Sequence, residues 1–346
     1  MRNLIITTMR NEAPFVLEWI AYHQHIGFTD FLIYTNDCDD GTDLLLDRLA
    51  ALGHVTHERS HSRGKKPVQW RALNKAERHP LTKSADWVFV ADVDEFLNIP
   101  VGDGLLDDLI ATRPDAGGFA IPWRMFGNAG VEAFVDAPVL AQFTQAAPDT
   151  LIWPWRAVQY KSLFRSAQGP VELGVHRPKA VTNSGDGHWY DGNGAVDRAA
   201  HATYQFNRGP RYELAQINHY ALGSIENFLI KQDRGKPNHQ SDPIDISYWV
   251  ERNLNTVTDQ TILRHGPAIA ARRDALMSDP ELEALHNQGV AWRHARIEAL
   301  LETPEAFHVY TVLLQTPPTA PLPLETQETL LNELVKIRRA VKAQSS

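Results

Sequence analysis

Cysteine is nearly missing from this chain: Cys38 is the single one among 346 residues. That leaves no intramolecular disulfide and no thiolate metal cluster, and it agrees with a reducing compartment. Long apolar runs are missing too. No segment approaches the roughly 20 apolar residues of a spanning helix, and the opening MRNLIITTMRNEAPF is too polar, with too short an apolar stretch, for a secretory signal. A cytoplasmic protein is expected, with peripheral association at the inner face of the plasma membrane compatible. Excess positive charge is absent, since 34 Lys and Arg stand against 42 Asp and Glu for a formal net charge of −8. No general positive field therefore draws the chain to nucleic acid. It has no G-x-x-x-x-G-K-[ST] phosphate loop, no internal repeat and no low-complexity tract.

What is present is an ordinary folding composition, 43% hydrophobic and 22% charged. NLIITTM (3–9), a helical spacing from Pro14 to Ile26, FLIYT (31–35), a helix from Asp43 to Ala51, HVTHERS (54–60), a helix from Val68 to Arg78 and WVFVADVDEF alternate strand with helix. That alternation predicts a mostly parallel, doubly wound α/β sheet over the first hundred residues. FAIPWRMF, VQYKSLFR and AQINHY read as further strands among long loops rich in Gly, Pro and Trp, and the chain turns helical from Ser224. ETQETLLNELVKIRRAVKA (325–343) sets Leu330, Leu331, Leu334, Val335, Ile337 and Val341 on one side, which predicts an amphipathic helix packed on the body.

The apolar run WVFVA ends in Asp92, Asp94 and Glu95. If the strand continues through them, Asp92 and Asp94 project to one side at the sheet's ligand-binding end and can share a cation. Hard carboxylate oxygens suit Mg²⁺ or Mn²⁺, which usually bridge one or two carboxylates to substrate phosphates. Three carboxylates there repel one another unless a cation or proton relieves them, so Asp94→Ala is expected to spare or slightly stabilise the fold. Asn11 and Glu12, just before a helix, serve equally well as helix caps, and Asp39 and Asp40 as turn formers with Gly41.

MRNEAPFVLEWIAYHQHIGFTDFLIYTNDCDDGT, WVFVADVDEFLNI, LGVHRPK and INHYALGSIENFLIKQDRG, in this order, resemble the bacterial family 2-like glycosyltransferases related to family 92. The resemblance implies a GT-A fold over residues 1–235, with a nucleotide-sugar half to about 100 and an acceptor half to 235, followed by a helical extension over 236–346. It implies metal-dependent transfer from a nucleotide-diphosphate sugar, UDP-sugar favoured, with inversion. It places Arg10, Asn11, Glu12, Asn36 and Asp37 near the nucleotide, Asp92 and Asp94 with His219 on Mn²⁺ or Mg²⁺, and Lys231 and Arg234 near the diphosphate. Lys65 and Gln69 precede a helix within reach of phosphate or base. His176 matches a recurring family position and is expected to touch substrate.

For the base that takes the acceptor's proton, the polar stretch 172–194 offers Asp186 first, then Glu172 and Asp191; Glu95 is a further candidate. Trp123, Trp153, Trp155 and Trp189 offer sugar-stacking faces, although tryptophan is more often core. The carbohydrate-type acceptor fits a surface polysaccharide, a lipid-linked glycan or a protein glycan. The rival readings are a non-catalytic carbohydrate-binding protein and another metal-dependent sugar-nucleotide enzyme such as a nucleotidyltransferase.

Overall fold

The computed structural model describes residues 1–60, 67–166, 171–181, 187–197, 209, 211–235 and 244–344. The first elements are β1 (Asn3–Met9), α1 (Ala13–Ile26), β2 (Asp30–Thr35), α2 (Thr42–Ala51), β3 (Thr56–Arg59), α3 (Val68–Ala76), α4 (Pro80–Ser84) and β4 (Trp87–Val90). β1 pairs in parallel with β2 and β4, and β2 with β3. Alternate residues of these strands serve two cores. Ile5, Phe31, Ile33 and Phe89 pack with α1 and α2, whereas Leu4, Ile6, Leu32 and Val88 pack with Ala72, Leu73 and Ala76 of α3. Helices on both faces explain why these strands read as continuous apolar runs.

The chain continues through β5 (Glu95–Asn98), α5 (Leu106–Thr112), β6 (Ala116–Met125), α6 (Val139–Gln142), β7 (Gln145–Ala146), β8 (Tyr160–Arg165), β9 (Val171–Glu172), β10 (Ala180–Val181), β11 (His188–Asp191) and β12 (Gln216–His219). The main sheet runs β3-β2-β1-β4-β8-β6-β12-β5, with β11 beside β6. β8 lies antiparallel to β4 and β6, and β5 to β12. The remaining pairings of this sheet are parallel, so the fold is the expected mostly parallel α/β arrangement.

α7 (Ile225–Arg234), α8 (Ile246–Val250), β13 (Val257–Thr258), α9 (Gly266–Met277), α10 (Pro280–Leu301), α11 (Pro304–Gln315) and α12 (Leu324–Gln344) complete the chain. α9 packs on α1, and α10 packs on α1, α2 and α7. Gly289 of α10 is pressed against Ala13, leaving no room for a side chain.

α12 departs from the expected packing. Its first turns touch the body through Gln327, whose side-chain oxygen accepts the N–H groups of Ile152 and Trp153. Arg338 lies over the Trp155 ring at 4.2 Å. The apolar flank is nevertheless open: Val335 is 36% exposed, Ile337 59% and Val341 57%. The contacts made by Trp153 and Trp155 therefore serve the attachment of α12.

Candidate functional site

The strand does not carry the aspartates. β4 ends at Val90, and a turn closed by Glu95 N–H donating to the Asp92 carbonyl (3.1 Å) reverses the chain into β5. Asp92 and Asp94 therefore leave a turn, not a strand of period two, and their side chains face different partners. Asp92 accepts from Gln69 Nε2 (3.1 Å) and from Lys161 Nζ (2.9 Å). Asp94 accepts from Lys231 Nζ (2.8 Å), which also donates to the Ala221 carbonyl. The repulsion expected among three carboxylates is relieved by two lysines from distant segments.

Lys161 is fully buried and also lies 3.2 Å from Glu95 Oε2. Burial works against its charge, but Asp92 and Glu95 outweigh that effect and raise its pKa. Glu95 is equally buried; desolvation pushes its carboxyl up to about 8, despite Lys161. A charged Lys161 set against Asp92 and a protonated Glu95 leaves no charge of the buried group unanswered. Glu95 Oε2 accepts the Asp92 N–H at 3.0 Å, which ties down the turn. A carboxyl so enclosed cannot reach an acceptor hydroxyl, so its position suits holding Asp92, not the base role expected of it.

His219 ends β12, and its Nε2 faces Asp94 Oδ1 at 3.7 Å. Burial lowers its pKa despite Asp94. For Asp94, burial pushes the pKa up, but Lys231 and His219 together hold it well below the usual carboxylate range. Trp123 packs on both histidines of the site, its ring 4.4 Å from His219 and 5.2 Å from His176. His176 Nδ1 donates to the Tyr160 carbonyl (3.0 Å), which leaves Nε2 as an acceptor. Burial and the nearby Lys161 push its pKa down to about 4, so the ring is neutral at physiological pH.

These groups allow a test of the expected cation. Among the described residues, no cluster of three or more His, Cys, Asp or Glu is arranged to hold a metal ion. Asp94 and His219 do converge through Nε2, and His219 Nδ1 is buried without a hydrogen-bond partner. One carboxylate and one imidazole that leave positions open to phosphate oxygens fit Mg²⁺ or Mn²⁺.

A second group lines the C-terminal ends of β1 and β2. Asn11 and Asp37 adopt left-handed backbone conformations (φ 57° and 44°), which asparagine and aspartate tolerate best among residues with side chains. Asn11 Nδ2 donates to the Asp39 carboxylate while Asn11 Oδ1 accepts the Asp39 backbone N–H, and Arg10 Nε donates to the Asp37 carbonyl. Asn36 Nδ2 donates to Asp37. Neither Asn11 nor Glu12 caps α1. That work falls to Asp40 and Thr42, whose side chains accept the Ala13 and Glu12 N–H groups. Glu12 instead pairs with Arg234, which also donates to the Arg10 carbonyl.

Arg293 of α10, 97% buried, reaches the Asn11 carbonyl and Asn227 Oδ1, both at 2.9 Å. Glu12, Asp94, Lys231, Arg234 and Arg293 thus line one cavity, with Phe15 and Tyr220 among its apolar walls.

The structure does not bring every expected residue here. Trp189 packs over Gly118 on β6, five positions before Trp123 and about 16 Å away along the strand. Arg177 covers its ring at 4.2 Å. Asp191 accepts the N–H groups of Asn193 and Ala195 in a turn. Glu172 is exposed on β9. Lys65 and Asp186 lie outside the described residues.

Lys161 and Arg293 are the site residues that sequence reasoning passed over. For Lys161 a signal existed, a lone charge inside the strand YKSLF. Arg293 sits among several arginines of a helical region and had none.

Residues 6–183, just over half the chain, match the sequence profile of glycosyltransferase family 92. The chain belongs to glycosyltransferase family 92. It is 31% identical over 135 residues to a rice (Oryza sativa subsp. japonica) family 92 protein, covering 36% of this chain and 21% of that one. It is 29% identical over 136 residues to a Ricinus communis family 92 protein, covering 37% and 23%. The chain thus spans under a quarter of the length of these curated relatives. Among solved structures, S. aureus TarS 1–349 is similar at 13% identity and a TM-score of 0.35 over 87% of this chain and 91% of that one. Its complex with UDP-GlcNAc aligns at 16% identity and a TM-score of 0.28 over 48% and 45%.

Proposed function

We propose that the chain transfers a sugar from a nucleotide-diphosphate donor, UDP-sugar favoured, to a carbohydrate-type acceptor, with inversion at the anomeric carbon. The observation that most supports this reading is the convergence of Asp94, His219 and Lys231 at the edge of a family 92 α/β sheet. Asp94 and His219 would hold Mn²⁺ or Mg²⁺, which supplies Lewis-acid neutralisation of the diphosphate. Lys231 and Arg234 add fixed positive charge where the leaving group's negative charge grows. Asp92, held by Lys161 and Gln69, is oriented for the donor, and His176 offers Nε2 to a sugar hydroxyl.

In the transfer, the acceptor oxygen bonds to the anomeric carbon as the bond to the diphosphate oxygen breaks. The electron pair leaves with the nucleoside diphosphate, and the hydroxyl proton passes to a base, for which Asp186 is proposed.

The test is thermal stability of the full chain with UDP, in Mn²⁺ and in chelator. Ligand that binds only the native state raises the midpoint, so the expected result is a UDP-dependent rise that requires the cation. His219→Ala should reduce that rise with partial recovery at high Mn²⁺, while leaving nucleotide binding in chelator unchanged. A rise of equal size in chelator would overturn the cation's role. No response to any nucleotide or nucleotide sugar would overturn the donor class.

A further inference from the structure

The flank of α12 carries an apolar repeat whose C-terminal half lies open. Leu330, Leu334, Ile337 and Val341 stand at intervals of four, three and four, the core spacing of a two-stranded coil. Leu330 and Leu334 are half-buried, whereas Ile337 is 59% exposed and Val341 57%; Gln327, one heptad before Leu334, and Arg338 hold the helix to the body.

We propose that α12 is a self-association helix, through which two copies of this chain pair in parallel along Leu330, Leu334, Ile337 and Val341. The charges beside the stripe select the occupant and the direction. Glu333 precedes one core position and Arg338 follows the next, so in a parallel pair Glu333 of each copy faces Arg338 of the other. Residues five apart lie about 140° apart around one helix and cannot pair within it. In the single chain, Glu333 takes Lys336 (2.6 Å) and Arg338 rests on Trp155. An antiparallel pair would not bring Glu333 of one copy against Arg338 of the other. An anionic lipid surface is disfavoured, because Glu325, Glu328 and Glu333 interrupt the polar face that such a helix would need to keep basic.

Sedimentation velocity on the full chain over rising concentration reads the outcome, with circular dichroism and thermal midpoints confirming that each variant folds. The wild type should pass from monomer to dimer, and Ile337→Asp should stay monomeric. Glu333→Arg should weaken association about ten-fold, equivalent to about 1.4 kcal/mol, and Glu333→Arg with Arg338→Glu should restore it. A chain that stays monomeric at every concentration overturns the proposal, and so does a Glu333→Arg variant that dimerises like the wild type. Co-sedimentation of the monomer with phosphatidylcholine–phosphatidylserine vesicles, lost in Ile337→Asp, overturns it in favour of a membrane.

Discussion

The ammonium of Lys231 lies 2.8 Å from Asp94 Oδ2, and the two residues come from elements 137 positions apart. This pairing reverses the stability expected for Asp94→Ala from carboxylate repulsion alone. Removing the carboxylate leaves a largely buried ammonium without its counter-ion. Asp94→Ala and Asp94→Asn should abolish transfer and also lower stability by about 1–2 kcal/mol, discounted because Asp94 is a quarter exposed. Urea denaturation of both variants checks this. A variant as stable as the wild type would mean that the pair contributes nothing to the fold.

Lys161 joins Asp92 and Glu95 in the interior. Lys161→Met strands two carboxyls beside an apolar side chain and should cost about 3 kcal/mol. Adding Asp92→Asn to Lys161→Met should recover part of that loss, because the amide needs no counter-charge. A double-mutant cycle by chemical denaturation measures the coupling. Additive losses would show that the two groups do not act together.

Glu18 on α1 accepts the N–H groups of Val139 and Leu140 at the start of α6. Burial pushes its carboxyl up to about 7 from an ordinary 4.5. The folded state then holds a proton that the unfolded state has released, so the stability this group contributes is complete below pH 4.5 and drains away as pH rises to about 7. Glu18→Gln should flatten that part of the pH–stability curve. At pH 8 it should gain about 1–2 kcal/mol, less than the full linkage value because the amide offers one acceptor oxygen in place of two. Thermal unfolding of both proteins from pH 4 to 8 reads the slopes.

Gly289 meets Ala13 where α10 crosses the start of α1. Any side chain there must push the helices apart, and Gly289→Val should destabilise by about 1–3 kcal/mol. Because Asn11 and Glu12 adjoin Ala13, the same variant should weaken nucleotide binding. Calorimetry of nucleotide binding checks the second effect.

The parallel half of the sheet was legible because both of its faces are covered, so each strand is a plain apolar run and each helix carries its own period. β4 was legible only to its end: WVFVADVDEF continues to look like a strand while the backbone turns at Asp92. Carboxylate clustering announced a charged site, but the charges that answer it lie on β8, α7 and α10, and no local spacing encodes such pairings. The stripe on α12 is amphipathic by its spacing alone. Its exposure could not be read, because periodicity says which residues share a face and not whether anything covers it.

The bond from Arg293 to the Asn11 carbonyl joins α10, the third helix from the last, to the loop after β1. Recombination between relatives would have to respect it: a chimera that exchanges α10 without the loop after β1 brings together halves never selected side by side. Hydrogen exchange should report the same union, with the amides of Glu12 and Ala13 opening in step with the middle of α10 and not with the rest of the β1 edge.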